Sequence, residues 1–306
     1  MTDADSRGRN AETPIEIPLQ GWRGIALRVK DQFGEDHVTL TAGGVAFFGF
    51  AALVPALAAA VSIYGLVADP SDIASLSDRI RGAAPPEVAD LVEQQLESVT
   101  GSSPNALGLA MLVSIVLALW SASSGMTHLM EATNIAYSED TDDRPFWKRR
   151  LLAIGFIFGF VAFAITAELT LRVLSGPLVV VALALIVAGG LAVFAALYRY
   201  APDRDDPEWK WVTPGALFAV VGWLVVSVGF RFYVARFSSY NETYGALGAI
   251  LIVLIWLYLS AAVVIVGAEI NTEVERQTAH DSTVGPSEPL GQRGAHAADD
   301  VAPSPD

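Results

Sequence analysis

An all-α, polytopic membrane fold with six transmembrane helices is predicted by three observations: the apolar content, its concentration in blocks, and the placing of the basic residues. Of the 306 residues, 53% are hydrophobic, above the roughly 45–50% of an ordinary soluble domain. They fall in six blocks, at about 42–68, 105–127, 151–174, 177–198, 212–235 and 245–268. Each is long enough, as a helix, to cross a hydrocarbon core of roughly 30 Å. With an even number of spans both termini share a side, and Lys and Arg decide which. One side carries Arg7, Arg9, Arg23, Arg28, Lys30, Arg144, Lys148, Arg149, Arg150, Arg199, Arg204, Lys210, Arg276 and Arg293; the other has Arg79, Arg81, Arg172, Arg231 and Arg236. Both termini are therefore expected in the cytoplasm, in a multi-pass protein of the cell membrane.

Residues 1–20 are polar, contain Pro14 and Pro18, and lack the basic-then-apolar layout of a signal peptide. They read as a disordered tail. From Gly21 to Asp36, Trp22, Ile25, Val29 and Phe33 recur every three or four residues among Arg23, Arg28 and Lys30, so an amphipathic N-terminal helix follows. It lies either along the membrane surface or packed on the protein as a lead-in helix. In the first span, Pro55 removes a backbone hydrogen bond downstream of Gly43, Gly44 and Gly49, which predicts a kink and close helix approach.

Between the first two spans, residues 69–104 alternate acidic and apolar positions after Ala84-Pro85-Pro86-Glu87, the pattern of an extracellular helical segment. Ser175, Gly176 and Pro177 divide the third block from the fourth and predict a tight helical hairpin there. No charge occurs from Thr243 to Ala268, so the last block is a span entered through Asn241, Glu242 and Thr243. Asn241 and Thr243 suit an N-cap, Glu242 the positive end of the helix dipole, and Gly245 close packing. Residues 21–276 form the transmembrane domain, and 277–306, rich in Pro and acid, read as a disordered acidic tail.

Composition excludes several chemistries. There is no cysteine, and the four histidines, His37, His128, His280 and His296, have no ligand spacing, so neither a metal site nor a cofactor is expected. The net charge of −14 argues against a nucleic-acid partner. With only Lys30, Lys148 and Lys210 as lysines, the acidity fits a halophilic source. The acidic run 137–143 lacks the Gly and terminal Glu of a calcium loop and reads as solvated.

Four stretches taken together, 41-TAGGVAFFGFAALVPALAAAVSIYGLV-67, 120-WSASSGMTHLMEATNIAY-137, 209-WKWVTPGALFAVVGWLVVS-227 and 239-SYNETYGALGAILIVLIWLYLSAAVVIVGAEIN-271, resemble the YihY/virulence factor BrkB family of inner-membrane proteins, formerly labelled ribonuclease BN. The resemblance covers roughly residues 21–276. It implies six membrane helices and a cell-membrane location, and no settled biochemical activity. Nothing in these residues supports the ribonuclease label.

The polar residues inside the spans are the candidate functional groups, each with a structural alternative. Pro55 either shapes packing or opens a backbone that lines a cavity. Ser121 and Ser124 share a face of the second span beside Gly125, for hydrogen bonding between helices or for a polar path. Glu168 and Arg172, four apart, form an interfacial ion pair, or Glu168 is a proton- or cation-binding carboxylate facing the bundle interior. Asn241, Glu242, Thr243 and Tyr244 cap a span or cover a pathway. Glu269 and Asn271 anchor the last span at the cytoplasmic boundary or act there.

These features favour transport or translocation of a small solute, ion or lipid through the bundle, without enzymatic activity. Such a path predicts a polar cavity shared by Pro55, Ser121, Ser124 and 241–243. The alternative is a non-catalytic envelope or assembly factor acting through lipid or protein contacts. Oligomeric state is not encoded in any of these features.

Overall fold

Helices carry most of the described residues, which are 7–67, 104–139, 142–174, 176–236 and 240–303 in this computed structural model. They are α1 (Leu19–Glu35), α2 (Val38–Val67), α3 (Pro104–Ala136), α4 (Phe146–Val173), α5 (Val179–Tyr200), α6 (Trp209–Arg236), α7 (Tyr240–Glu275) and the short α8 (His296–Asp299). Among the described residues four stretches are long and apolar enough to cross a membrane: Phe146–Val173, Gly176–Tyr200, Trp209–Tyr233 and Ile250–Glu275. A fifth arises if Leu19–Glu35 and Val38–Leu53, bent by 63°, form one span. The first two expected spans fall in α2 and α3, of 30 and 33 residues. The expected extracellular segment 69–104 lies outside the described residues, apart from Pro104 at the start of α3.

The helices pack in chain order around a closed ring, α2 on α3, α3 on α4, and so on to α7, which returns to α2; α1 lies against α7. The seam is built from small residues. Ala42, Ala132, Ala136, Ala153, Ala216, Ala219, Ala261 and Ala268 are all buried, with Met130, Leu197, Val212 and Ile265 filling between them. Lipid-side residues such as Phe158, Val161, Ile165, Val225, Val228 and Phe232 are exposed. This inversion is expected where the solvent is hydrocarbon and helix association depends on close backbone approach. One such approach joins α2 to α3, where a Cβ on Gly125 would stand 3.3 Å from the Gly49 backbone.

The hairpin expected at 175–177 is present: Gly176 takes φ +61 in a 3-10 turn, Gly176–Leu178, that leads into α5. α1 is a lead-in helix packed on the protein, because Gly21, Gly24 and Ile25 are buried and Ile25 clusters with Trp211 and Val274. The sharp bend falls between α1 and α2, at His37 with φ 49; α2 runs as one helix through Pro55.

Two expectations are corrected. The turn placed before the last span is helix: α7 begins at Tyr240, so the backbones of Asn241, Glu242, Thr243 and Tyr244 belong to its first turns and Thr243 is not an N-cap. The tails expected to be disordered are, over residues 7–18 and 277–303, folded onto the end of α7. Ala279 N–H donates to Arg9 O and Ala302 N–H to Arg276 O, both at 2.9 Å, and Thr278 Oγ1 donates to Ala11 O at 2.7 Å. Arg293 is buried and donates to the carbonyls of Ala298, Ala279 and Glu288 at 2.8, 2.9 and 3.1 Å. Composition counts charges without seeing partners; here the tail's own Arg293 is spent on buried carbonyls and Ser282 Oγ donates to Glu275 at 2.7 Å, bonds that a charge count does not register.

The C-terminal fold carries a pH prediction. Burial pushes the Asp281 carboxyl up, but hydrogen bonds from Glu288 N–H, Thr283 N–H and Thr283 O–H, at 2.8, 2.9 and 2.8 Å, outweigh it and hold it below the ordinary value. A carboxyl lowered on folding stabilises above its unfolded value and loses that contribution as pH falls through the folded one. Protease resistance of residues 277–303 is therefore expected to decline below about pH 4. In Asp281→Asn it should be low at pH 7 and nearly independent of pH.

Candidate functional site

α7 continues as a helix well past its apolar stretch. Glu269, Asn271, Thr272, Glu273 and Glu275 all follow Ala268, and all five are buried. Ionised carboxylates are costly in such a place unless they are paired. Two of the three are. Glu273 accepts from Arg28 Nε, which comes from α1, and from Arg276 Nη1 at 2.6 Å. Glu275 accepts two bonds from Arg204, at 3.2 and 2.7 Å, and one from Ser282 Oγ at 2.7 Å. Arg204 lies 5.0 Å from the Tyr137 ring. Burial would push its guanidinium down, yet Glu275 holds it above the ordinary arginine value, so the pair stays ionised.

Glu269 differs from both. Its side chain is fully buried, and neither oxygen meets a donor among the described residues. The group within reach of it is another carboxyl, Asp36, at the break between α1 and α2. Asp36 Oδ2 is itself buried without a donor. Two acceptors face each other, and a proton or a small cation between them would satisfy both.

Around this pair the bundle is held by close, directional contacts. Asn271 Oδ1 accepts from Gly215 N–H at 2.7 Å, one residue after Pro214 interrupts the donors of α6. Tyr198 Oη donates to Val264 O at 2.8 Å. Tyr137, just past α3, has a buried hydroxyl, and Asn271 Nδ2 is buried within reach of it; neither makes a close hydrogen bond among the described residues. Burial pushes the Tyr137 hydroxyl well above the ordinary tyrosine range, so it remains a donor. The site thus offers two carboxyls without a donor, with a buried hydroxyl and a buried amide close by, about one turn and a half inside Glu275.

The other expected residues are dispersed. Ser124 Oγ donates to Trp120 O and accepts from Arg150 Nη1, both at 2.9 Å, while Ser121 makes neither contact. Ser123, the fully buried serine of that run, accepts from the same Arg150 nitrogen at 2.6 Å. Glu168 and Arg172 do form their ion pair, at 2.8 Å, but the side chains are 59% and 72% exposed, on the outside of the ring and away from its interior. Pro55 is half-buried. The side chains of Asn241, Glu242, Thr243 and Tyr244 lie outside the described residues.

A cavity of about 380 Å3 does open within the ring, but it is apolar, lined by residues such as Val45, Met126, Phe160, Trp223 and Leu257, with Ser260 its one polar side chain. Pro55, Ser121 and Ser124 do not line it, so the polar cavity expected to join them is not formed by the described residues. Glu269 and Asn271 are the two expected residues that come together with other unpaired polar groups, and boundary anchoring does not describe them, because they are buried in protein. The sequence alone does not single out Asp36, Glu273 or Tyr137 as members of this site. The i, i+4 spacing of Glu269 and Glu273 was a usable signal that the last helix has one acidic face. No group of three or more His, Cys, Asp or Glu side chains among the described residues is arranged to hold a metal ion.

Comparison with known proteins places this architecture. The chain is 34% identical over 201 residues to the ribonuclease-like protein YfkH of Bacillus subtilis, an alignment that covers 60% of this chain and 72% of YfkH. It is 30% identical over 258 residues to a UPF0761 membrane protein of Nitrosospira multiformis, spanning 78% of this chain and 58% of that longer protein. A UPF0761 membrane protein of Pseudoalteromonas translucida is 26% identical over 268 residues, 81% of this chain and 85% of the relative. No solved structure matches the chain. The family model for virulence factor BrkB matches residues 29–290, and the chain belongs to that family of membrane proteins.

Proposed function

We propose that this protein transports or translocates a small solute, ion or lipid across the cell membrane, and that Glu269, with Asp36, is the group that takes up and releases a proton or small cation. The observation that carries the reading is the fully buried Glu269 carboxyl without a donor, beside two carboxylates that each have an arginine. Ionisable groups inside membrane helices are costly, and where a fold keeps one unpaired, a proton or ion pathway is the default use. The accompanying architecture is six spans with both termini in the cytoplasm. Its support is the ring of six long helices and the 14 basic residues assigned to the terminal side. A halophilic source belongs to the same proposal and rests on composition alone.

The test uses proteoliposomes loaded with a pH-sensitive dye and given an imposed pH gradient. Wild-type protein is expected to dissipate the gradient faster than empty liposomes, and Glu269→Gln to lose about 90% or more of that excess rate, the tenfold effect of about 1.4 kcal/mol on a barrier. Glu168→Gln, on the outer face, is expected to leave the rate unchanged. A wild-type rate equal to that of empty liposomes removes the proton reading. The proposal also makes the protein a carrier and not an enzyme. RNA cleavage by the purified chain, the activity class in the name of the Bacillus relative, would overturn that part.

A further inference from the structure

Independently of Glu269, a second polar feature lies between α3 and α4. A cleft of about 180 Å3, too small for most organic ligands, is lined by Thr127, Glu131, Phe146, Arg149 and Arg150 among others. Its two arginines are built in. Arg150 is fixed by three acceptors on a single nitrogen, Nη1: Ser123 Oγ at 2.6 Å, Ser124 Oγ at 2.9 Å and Trp120 O at 3.0 Å. Its guanidinium stacks between Trp120, 4.1 Å away, and Phe146, 5.2 Å away. None of those contacts neutralises it.

Arg149 Nε is buried with no hydrogen-bond partner, and neither arginine has a carboxylate within ion-pair distance among the described residues. The acid in the cleft, Glu131, is bonded at 2.9 Å to His128, whose ring stacks on Phe48 at 3.9 Å. Asp142 also acts on Arg149 but is already paired with Arg144 at 2.8 Å, so the cleft holds two guanidiniums against one carboxylate of its own lining and is short of an anion.

What surrounds the cleft selects the anion. Trp120, Phe146 and Trp147 are exposed, the aromatic and basic composition of a membrane interface. From that level exposed apolar side chains continue along both helices, Val113, Val116 and Leu117 on α3 and Leu151 and Phe158 on α4. A soluble anion would use the arginines and leave these faces idle. A phospholipid would use both, because a phosphate at the arginines leaves its acyl chains against the apolar faces. Planar guanidinium groups suit a phosphodiester's oxygens, and basic pockets between helices on the basic side of a membrane protein favour anionic head groups.

We propose that this cleft binds the phosphate of an anionic phospholipid, with Arg149 and Arg150 as the phosphate-holding residues. The test is native mass spectrometry of the full chain in detergent, titrated with phosphatidylglycerol, with phosphatidylcholine, and with phosphatidylglycerol in the presence of inorganic phosphate. Wild-type protein is expected to retain phosphatidylglycerol about tenfold more strongly than phosphatidylcholine, and R149Q/R150Q to lose the preference. Because Arg150 also ties α4 to α3, R149Q is measured alone; its Nε has no partner to lose, and a several-fold fall in phosphatidylglycerol retention is expected. Equal retention of the two lipids by wild type, or an undiminished preference in R149Q and in a folded R149Q/R150Q, overturns the proposal. Displacement of the lipid by millimolar inorganic phosphate overturns the lipid assignment in favour of a free-anion site.

Discussion

Replacing Arg204 by Met is expected to cost about 3–5 kcal/mol, because it strands the Glu275 carboxylate in a site shielded from solvent. Both side chains of the pair are fully buried, and the bonds between them run from two guanidinium nitrogens to two carboxylate oxygens. Their attraction is largely spent on their own desolvation, so the net gain over a well-packed apolar pair is small or negative; the loss from removing one partner is not. Three variants separate these terms. Arg204→Met and Glu275→Leu should each lower the melting temperature of the detergent-solubilised protein strongly, and the double variant should recover most of the loss. A double variant as damaged as the sum of the singles would mean that the pair acts through other contacts, of which Ser282 and the Tyr137 ring are the candidates. The single variants should also loosen the C-terminal segment, since Glu208 N–H donates to Ser282 O at 2.9 Å beside the same pair.

That pair marks the limit of what the sequence discloses. Apolar blocks announce helices because hydrocarbon leaves a spanning chain no other way to satisfy its backbone. α4, α5, α6 and α7 accordingly fall where the blocks predict, and the hairpin at Gly176 is legible because Pro177 and a glycine able to adopt positive φ stand together. The polar groups were legible as residues but not as partners. Glu168 and Arg172 could be paired on paper since four residues on one helix are neighbours, and they are paired at 2.8 Å. Arg28 with Glu273 and Arg204 with Glu275 are separated by 245 and 71 positions, and no local rule joins them.

The same gap explains the tails. Residues 277–303 look disordered as long as Arg276 and Arg293 are counted as charges, and ordered once Asp300 and the carbonyls around Arg293 are known to receive them. It also explains the central site. Glu269 was visible at the end of a span, whereas Asp36, which makes it unusual, belongs to a different helix junction.

Adding one methyl group at Gly267 is expected to damage the fold about as much as losing a buried charge partner. A Cβ built there would stand 2.2 Å from Tyr198 Oη and 2.9 Å from Gly215 O. At Gly215 it would stand 2.0 Å from Gly267 O and 2.6 Å from the Asn271 amide. These two glycines are one contact seen from both sides, the point where α6 and α7 touch through their backbones. A rotamer change can move a side chain aside, but a carbonyl in a helix moves only with its helix. Overpacking typically costs about 1–3 kcal/mol, and the upper end applies where the obstacle is backbone. Displacement of α7 from α5 and α6 would break two further bonds, Gly215 N–H of α6 to Asn271 and Tyr198 Oη of α5 to Val264 O, and so open the wall around Glu269. Gly267→Ala and Gly215→Ala should therefore each lower the melting temperature sharply, and any folded fraction should lose gradient dissipation as fully as Glu269→Gln. Gly159→Ala is the control, because a Cβ there meets nothing within 4 Å; it should melt like wild type. If Gly267→Ala matches that control, the two backbones are farther apart than this packing requires, and Asn271 has no reason to be fixed where it bonds Gly215.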